Sequence, residues 1–269
     1  MRIKLFCYLS IISIVTSCSL KRAKIDNSLK TYFDANQVEG SFTMLNNSTG
    51  GITIYNIGMD TLRVSPGGTF NIVSSLIGLE IGKIINENMP VKWDGVSRNV
   101  PEWNRDLTMK EAFKINALPY YQAIVRSIGT DTLKKWIDSL GYGNKNIKAP
   151  IDSFWINNTL KISPDEQLGM VKRLYFDQLP FRKSTQEIVR NAMLQQNNTA
   201  YSLSYQTGQG IDEQNNTLGW LVGWIEENRH VYFFVTLIKA KGTSINAASA
   251  PIDITKNILK KYGFFEGKK

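Results

Sequence analysis

The chain has 269 residues, of which 42% are hydrophobic and 20% are charged. This balance is typical of a globular protein and excludes a disordered tail, a collagen-like repeat and a multispanning membrane protein. Two cysteines and a single histidine, His230, exclude a disulfide framework and a histidine-rich zinc site. We therefore expect neither a metal ion nor a cofactor.

The net charge of +9 comes mostly from lysines scattered through the chain, with a mild cluster over residues 256–269. No basic stripe is interleaved with aromatic side chains, so nucleic acid is not expected as a partner. The simplest interpretation is a solvated basic surface. Attraction to an anionic membrane or to wall polymers fits the charge equally well.

The first residues have the pattern of an export leader. Residues 1–4 are basic, and the mostly apolar run 5–15 has the length of a signal-peptide core, too short to span a bilayer. Small residues then precede Cys18, as in a bacterial lipobox. Cys7 lies inside the leader, so cleavage would leave Cys18 without a disulfide partner.

The leader pattern predicts how the chain is localised. We predict a lipoprotein signal peptide over residues 1–17, a lipidated Cys18 and a polar, basic tether over residues 18–34. The protein would then be exported and anchored to a bacterial membrane, on its periplasmic or outer-surface side. An ordinary signal peptide with an incidental cysteine is the alternative.

The remaining residues, 35–269, predict a single α/β (α+β) domain. Strand-like alternation over 41–45 and 51–57, joined by turn-forming residues, predicts a hairpin. Helical spacing then follows, with Asp106 as the N-cap of the first helix. The predicted helices are 107–114, 119–128, 131–140, 164–175 and 185–195, followed by strands 201–207, 218–226 and 230–240 and a last helix 252–262. Strands at both ends predict a mainly antiparallel central sheet, flanked by helices and containing a helical insertion.

A series of short motifs occurs in a fixed order over about residues 35–265. The motifs are Thr69-Phe70, Ser75–Glu80, Trp93-Asp94-Gly95, Trp103–Thr108, Ala117–Tyr121, Tyr142-Gly143-Asn144, Phe154-Trp155, Ile162-Ser163-Pro164 with Gln167, and Tyr205–Gly208. In order and spacing they resemble the class D (oxacillinase-type) serine β-lactamases and their penicillin-binding relatives. The resemblance implies the β-lactamase/transpeptidase-like fold.

The resemblance also implies a catalytic apparatus. In the family, the serine of an S-x-x-K motif attacks the β-lactam, and its N-carboxylated lysine is the base, held by a tryptophan. A second serine in S-x-V shuttles protons, the K-T-G lysine contacts substrate, and a later arginine binds the substrate carboxylate. The matching positions in this chain are, in the same order, Gly68, Asn71, Asn116, Gln206 and Pro251.

The residues that the resemblance assigns to substrate binding are retained. They are Tyr142, Asn144, Trp155, Thr207 and Gly208, together with Gly143. Each also has a simpler interpretation: Trp155 can be a core residue, and Tyr142 with Asn144 can form a turn packed into the groove. His230 is interpreted as a structural residue at a strand edge.

The lost catalytic positions predict an inactive site. Glycine has no side chain with which to attack, and an asparagine amide is not a base. Thr69 is one helical step, about 100°, from Gly68 and should point elsewhere. The chain contains neither an S-x-x-K motif nor a G-x-S-x-G motif.

The sequence therefore predicts a class D β-lactamase-like lipoprotein without catalysis, acting as a binding or interaction module at the cell envelope. Peptidoglycan fragments or an envelope protein are the expected partners. The predicted groove lies between the helix after Gly68 and the strand of Gln206, with the amides of Asn71, Asn116 and Asn144 adding donors and acceptors.

Three alternatives remain open. The protein could be an active class D β-lactamase or a penicillin-binding protein that uses an unrecognised nucleophile. It could be a stand-alone sensor, although family sensors are acylated on the serine that Gly68 replaces. The groove could also be vestigial, with the protein acting through another surface.

Overall fold

The computed structural model describes residues 23–242 and 247–269. The predicted signal peptide, Cys18 and the first part of the predicted tether lie outside these residues. Among the described helices, none is both long enough and apolar enough to cross a bilayer.

The central sheet is built from strands at both ends of the chain, as the sequence predicts. Its strands are β1 (Lys24–Ile25), β2 (Glu39–Asn46), β3 (Gly51–Tyr55), β6 (Leu194–Asn197), β7 (Tyr201–Ile211), β8 (Thr217–Glu227) and β9 (His230–Ala240). They lie in the order β1-β3-β2-β9-β8-β7-β6, with β1 parallel to β3 and the other neighbours antiparallel. A separate two-stranded ribbon pairs β4 (Pro90–Val91) with β5 (Leu107–Thr108).

Helices cover both faces of the sheet. The bounds are α1 (Lys30–Ala35), α2 (Ile57–Asp60), α3 (Asn71–Glu80), α4 (Met109–Lys114), α5 (Leu118–Ile128), α6 (Thr130–Leu140), α7 (Pro164–Tyr175), α8 (Lys183–Met193) and α9 (Ala250–Lys261). Short 3-10 turns cover Asn27–Leu29, Gly67–Phe70 and Pro101–Trp103. The mainly antiparallel sheet with its helical insertion confirms the predicted fold class.

Two hydrophobic cores lie on opposite faces of this sheet. Strand β9 contributes to both because successive side chains point to opposite faces. Phe233 and Val235 pack into the larger core with α3, α5 and α7, whereas Phe234 and Ile238 pack into the smaller core with α1 and α9. We call these two sides the helical layer and the α1/α9 layer.

The predicted tether is wrong over its described part. Residues 24–25 form strand β1, and the 3-10 turn and α1 that follow bury Leu29 and Phe33 in the smaller core. These two apolar residues are four positions apart and therefore lie on the same side of a helical turn. The polar and basic residues around them hide this spacing in the sequence. The folded domain therefore begins about ten residues before position 35.

Several predicted boundaries also shift. The N-cap of α4 is Thr108, which forms a capping box with Glu111, whereas Asp106 instead accepts a hydrogen bond from the Trp93 amide. The predicted helix 185–195 ends at Met193, and the chain continues directly as β6. The helices predicted over 131–140 and 164–175 and the strand over 230–240 are confirmed to within one residue.

Candidate functional site

The 3-10 turn Gly67–Phe70, which leads into α3, lies directly against strand β7, with no side chain between the two backbones. Gly67 has a φ of +52°, and a Cβ there would lie 2.0 Å from the Gln209 carbonyl oxygen. A Cβ on Gly208 would lie 2.7 Å from the Thr69 amide nitrogen and 2.8 Å from the Pro66 carbonyl oxygen. These distances are shorter than real Cβ contacts allow, so glycine is required on both sides of the contact.

Three amide side chains meet beside this contact. Asn116 Oδ1 accepts hydrogen bonds from Gln206 Nε2 at 2.7 Å and from Asn71 Nδ2 at 3.2 Å. Asn116 Nδ2 donates to Thr207 Oγ1 at 2.8 Å. Gln206 Nε2 also donates to the Phe113 carbonyl at 3.2 Å. We call Asn71, Asn116, Gln206 and Thr207 the amide network.

Gly68 borders the amide network, and Asn116 fills the space that a side chain at position 68 would need. A Cβ on Gly68 would lie 2.7 Å from Asn116 Oδ1 and 3.2 Å from the Thr207 carbonyl oxygen. The structure thus brings together Gly68, Asn71, Asn116 and Gln206, the four positions that the sequence predicts to be degenerate. A serine at position 68 would collide with the Asn116 side chain as it stands.

The backbone helps to place Asn116. It follows α4 with a φ of +52°, in the left-handed region that asparagine tolerates better than most residues. Its two network partners Asn71 and Gln206 are almost fully buried. The amides therefore satisfy one another in a site where an unpaired polar group would be costly.

The chemistry available in the amide network is limited to hydrogen bonding. Its side chains are amides and one hydroxyl, and none of them titrates near neutral pH. Proton abstraction in the transition state needs a group with a pKa near the working pH, which neutral amides lack. The network can therefore bind polar groups but offers no general base.

Thr69 does not replace the missing nucleophile. Its buried hydroxyl donates to the Pro66 carbonyl at 2.8 Å and accepts from Gln167 Nε2 at 2.6 Å. This agrees with the prediction that its side chain points away from the position of Gly68. Gln167 belongs to one of the motifs that carry the family resemblance. Its role as a buried partner of Thr69 depends on the packing of α7, which the sequence does not show.

The retained aromatic residues support the turn that carries Gly68. Trp155 is buried and stacks on Phe70, with ring centroids 5.6 Å apart, and its backbone carbonyl accepts from the Gly67 amide at 3.0 Å. Tyr142 packs edge-on against Phe70 at 5.7 Å. Burial raises the pKa of the Tyr142 hydroxyl, and the neighbouring side chains of Thr69 and Gln167 partly offset this effect. Both rings are core residues in this structure.

Two predicted site residues lie outside the amide network. Asn144 is exposed, and its amide group donates to the Thr159 carbonyl at 2.9 Å and accepts from the Lys161 amide at 3.1 Å. The interpretation of Tyr142 and Asn144 as a turn fits these bonds, and Asn144 adds no donor to the network. Pro251 is buried in the first turn of α9.

His230 has a neighbour that the sequence could not identify. Ser48 Oγ lies 2.8 Å from His230 Nδ1, at the exposed end of the β2–β3 hairpin. The Asn46 side chain shapes the same turn by accepting from the Ser48 and Thr49 amides. Within the described residues, no carboxylate is hydrogen-bonded to the His230 ring, so the pair lacks the orienting group of a catalytic triad.

Comparison with known proteins agrees with this architecture. Residues 33–260 match the penicillin-binding protein transpeptidase domain. The chain is 35% identical over 245 residues to the probable β-lactamase YbxI of Bacillus subtilis, covering 91% of this chain and 86% of that protein. It is 34% identical to β-lactamase OXA-10 of Pseudomonas aeruginosa, covering 86% of this chain and 88% of that protein. The chain belongs to the class D β-lactamase family.

The family also contains receptor domains. The C-terminal domain of the Bacillus licheniformis BlaR penicillin receptor superposes with a TM-score of 0.85, at 29% identity, covering 90% of this chain and 97% of that domain. Class D β-lactamase-like architecture therefore occurs in relatives named as enzymes and in one named as a receptor. Family membership alone therefore does not decide the activity of this chain, which depends on the residues at its own site.

Proposed function

We propose that this chain is a lipid-anchored, exported class D β-lactamase-like protein that does not hydrolyse β-lactams and acts as a binding or interaction module at the cell envelope. The observation that carries the proposal is the contact between Gly68 and Asn116. An amide side chain occupies the space in which a nucleophile at position 68 would stand.

The loss of hydrolysis follows from the loss of groups that act together. In comparable serine enzymes, removal of the nucleophile or its base costs on the order of 10⁶ in rate. Here neither Gly68 nor Asn71 supplies the required chemistry, and Gln206 adds no positive charge for the substrate. With a chromogenic β-lactam and micromolar protein, we expect hydrolysis at the uncatalysed rate, with an active class D β-lactamase measured in parallel. Turnover above the uncatalysed rate would contradict the proposal.

The amide network is the proposed ligand site. It lies beside the Gly67–Phe70 turn that leads into α3, where the partial positive charge of a helix N-terminus attracts polar or anionic groups. Because none of its side chains is charged, it should select uncharged or singly anionic peptidoglycan fragments. The amides already bond one another, so a ligand must exchange those bonds, and the affinity should be modest.

Calorimetry with purified wall fragments tests this site. We expect weak binding to the wild-type protein and loss of binding in Gly68→Trp, whose side chain would displace Asn116 from the network. A cooperative thermal transition, at a lower melting temperature than that of the wild type, would show that this variant is folded. In case it is not, Gln206→Leu provides a second variant that removes the donor and keeps the size. Binding that survives in a folded variant would instead favour a vestigial groove and an envelope protein as partner.

Active hydrolysis is the rival function, and the names of the relatives favour it. Its best candidate nucleophile outside the groove is Ser48, because His230 is within hydrogen-bond distance. The rival predicts measurable turnover that Ser48→Ala abolishes. Our proposal predicts the same background rate for Ser48→Ala and for the wild type, because the exposed pair serves the hairpin turn.

A further inference from the structure

The N-terminal segment is fixed to the folded domain close to the predicted anchor. Strand β1 begins at Lys24, six positions after Cys18, and pairs with β3. Asp26 then accepts a hydrogen bond from the Tyr262 hydroxyl at 2.8 Å, which ties the segment to the end of α9. Six residues span at most about 20 Å, so an anchor at Cys18 holds Lys24 within that distance of the membrane surface.

That distance is short compared with the domain. A compact domain of about 240 residues has a radius of gyration of about 18 Å, hence a diameter of roughly 45 Å. The domain could not turn freely on so short a connection. The surface around β1, which includes α1 and the C-terminal end of α9, must therefore lie on the membrane side.

This surface is rich in lysine. We define the basic face as Lys24, Lys30, Lys256, Lys260 and Lys261. Lys261 Nζ donates to Ser28 Oγ at 2.5 Å and lies 5.9 Å from the centre of the Tyr32 ring, which joins the end of α9 to α1.

Three carboxylates, Asp26, Asp34 and Asp253, lie on or next to the same elements as these five lysines and leave a net charge of +2. Asp34 pairs with Lys30, and Asp253 lies one turn before Lys256 on α9. Lys24, Lys256 and Lys260 have no carboxylate partner within 4 Å among the described residues. Next to Lys24, the apolar side chain of Ile25 is 53% exposed. Free lysines beside an exposed isoleucine suit a surface of anionic headgroups bordering hydrocarbon.

We propose that the basic face docks on the anionic lipid surface of the membrane that carries the anchor. The bilayer would then contact the α1/α9 layer, while the amide network, in the helical layer on the other side of the sheet, faces the envelope. This inference rests on the proposed lipidation of Cys18 for its distance argument. The charge of the basic face is an independent observation.

Vesicle binding by an unlipidated chain tests the basic face by itself. A chain that starts at Ser19 lacks the lipid and the apolar leader but keeps every described element and both hydrophobic cores. We expect it to sediment with vesicles of equal parts phosphatidylglycerol and phosphatidylcholine, and not with phosphatidylcholine alone. The triple variant Lys24→Gln, Lys256→Gln, Lys260→Gln should bind on the order of 10- to 100-fold more weakly, because each lysine contributes to attraction at the membrane surface.

A matched control removes the same charge from the helical layer. Lys83, Lys110 and Lys148 are exposed and are also free of ion pairs within the described part of the chain. Their replacement by glutamine should leave vesicle binding within about twofold of wild type, since the local field falls off within a Debye length of about 10 Å. Thermal unfolding of both triple variants checks that they are folded.

The possible outcomes separate this inference from the proposed function. Equal weakening by both triple variants, equal binding to neutral vesicles, or binding to isolated anionic wall polymer without vesicle binding would each overturn the docking surface. Mass spectrometry of the mature N-terminus decides lipidation at Cys18 independently. If the mature protein carries no lipid at Cys18 but the chain that starts at Ser19 still binds anionic vesicles through the basic face, the docking surface would stand and the anchor would be refuted.

Discussion

Replacement of Gly68 by alanine gives the most informative test of the site geometry. The new Cβ would lie 2.7 Å from Asn116 Oδ1, so the Asn116 side chain must move. That side chain makes three hydrogen bonds, to Asn71, Gln206 and Thr207. Each contributes about 0.5–1.5 kcal/mol net to the free energy of unfolding.

The replacement of glycine by alanine also has a stabilising effect, which opposes the loss of these hydrogen bonds. Gly68 does not have a positive φ, so alanine is compatible with its backbone. Replacing such a glycine stabilises a protein by about 0.4–1 kcal/mol, because the unfolded chain loses freedom. Gly68→Ala should therefore lower the free energy of unfolding by about 1–3 kcal/mol in total.

Repeating Gly68→Ala in a variant without the Asn116 side chain tests whether the contact with Asn116 causes the destabilisation. Asn116→Gly suits this purpose, because glycine accepts the φ of +52° without strain. In that background only the 3.2 Å approach of the new Cβ to the Thr207 carbonyl oxygen remains, so Gly68→Ala should change the free energy of unfolding by no more than about 0.5 kcal/mol. Gly169→Ala is the matched control: a Cβ there has open space on α7, so it should stabilise by about 0.5–1 kcal/mol.

Urea denaturation of the four members of this cycle gives the coupling free energy between positions 68 and 116. We expect about 1–3 kcal/mol, within the range measured for residues in contact. A loss of the same size in both backgrounds would show that Asn116 does not fill the space beside Gly68. Our account of the lost nucleophile position would then be wrong.

Three further predictions follow from individual residues. Cys18→Ser should release the protein from the membrane fraction or block its processing, whereas a soluble wild type without N-terminal lipid would refute the anchor. Gly68→Ser with Asn71→Lys should restore little β-lactam hydrolysis, because catalysis needs several preorganised groups; rates near those of an active class D β-lactamase would contradict this. Burial raises the pKa of Asp60 to about 6, despite a hydrogen bond from Thr43. The folded state therefore binds the proton more tightly than the unfolded state, and this contribution to the free energy of unfolding is lost as pH rises from about 4 through 6. In urea denaturation, Asp60→Asn should remove that slope and stabilise at pH 7 by about 1–3 kcal/mol, and an unchanged slope would contradict the assignment.

Much of the fold could be predicted because long periodic segments carry their own signal. The apolar spacing of α7 and the alternation of β9 are readable without neighbours. The sequence does not predict strands β1 and β6, since each is short and exists only because a longer strand pairs with it. The sequence also could not show that Leu29 and Phe33 pack under α9, because burial depends on residues more than 200 positions away.

The candidate site could likewise be predicted only in part from the sequence. The motif order places Gly68, Asn71, Asn116 and Gln206 at equivalent positions of one groove, and the structure brings them together. Their mutual hydrogen bonds were not predictable, because they depend on the left-handed backbone at Asn116. The neighbour of His230 was likewise hidden, since Ser48 lies 182 positions away in the chain.

Intact-mass spectrometry after prolonged incubation with penicillin tests the central claim most directly. The sample is the purified chain with a large excess of the β-lactam, and an active class D β-lactamase or a BlaR receptor domain serves as positive control. Because Gly68 has no side chain and Thr69 is bonded to Pro66 and Gln167, we predict the unmodified mass at every time point. A stoichiometric penicilloyl adduct would contradict the account, and the peptide carrying it would identify the nucleophile.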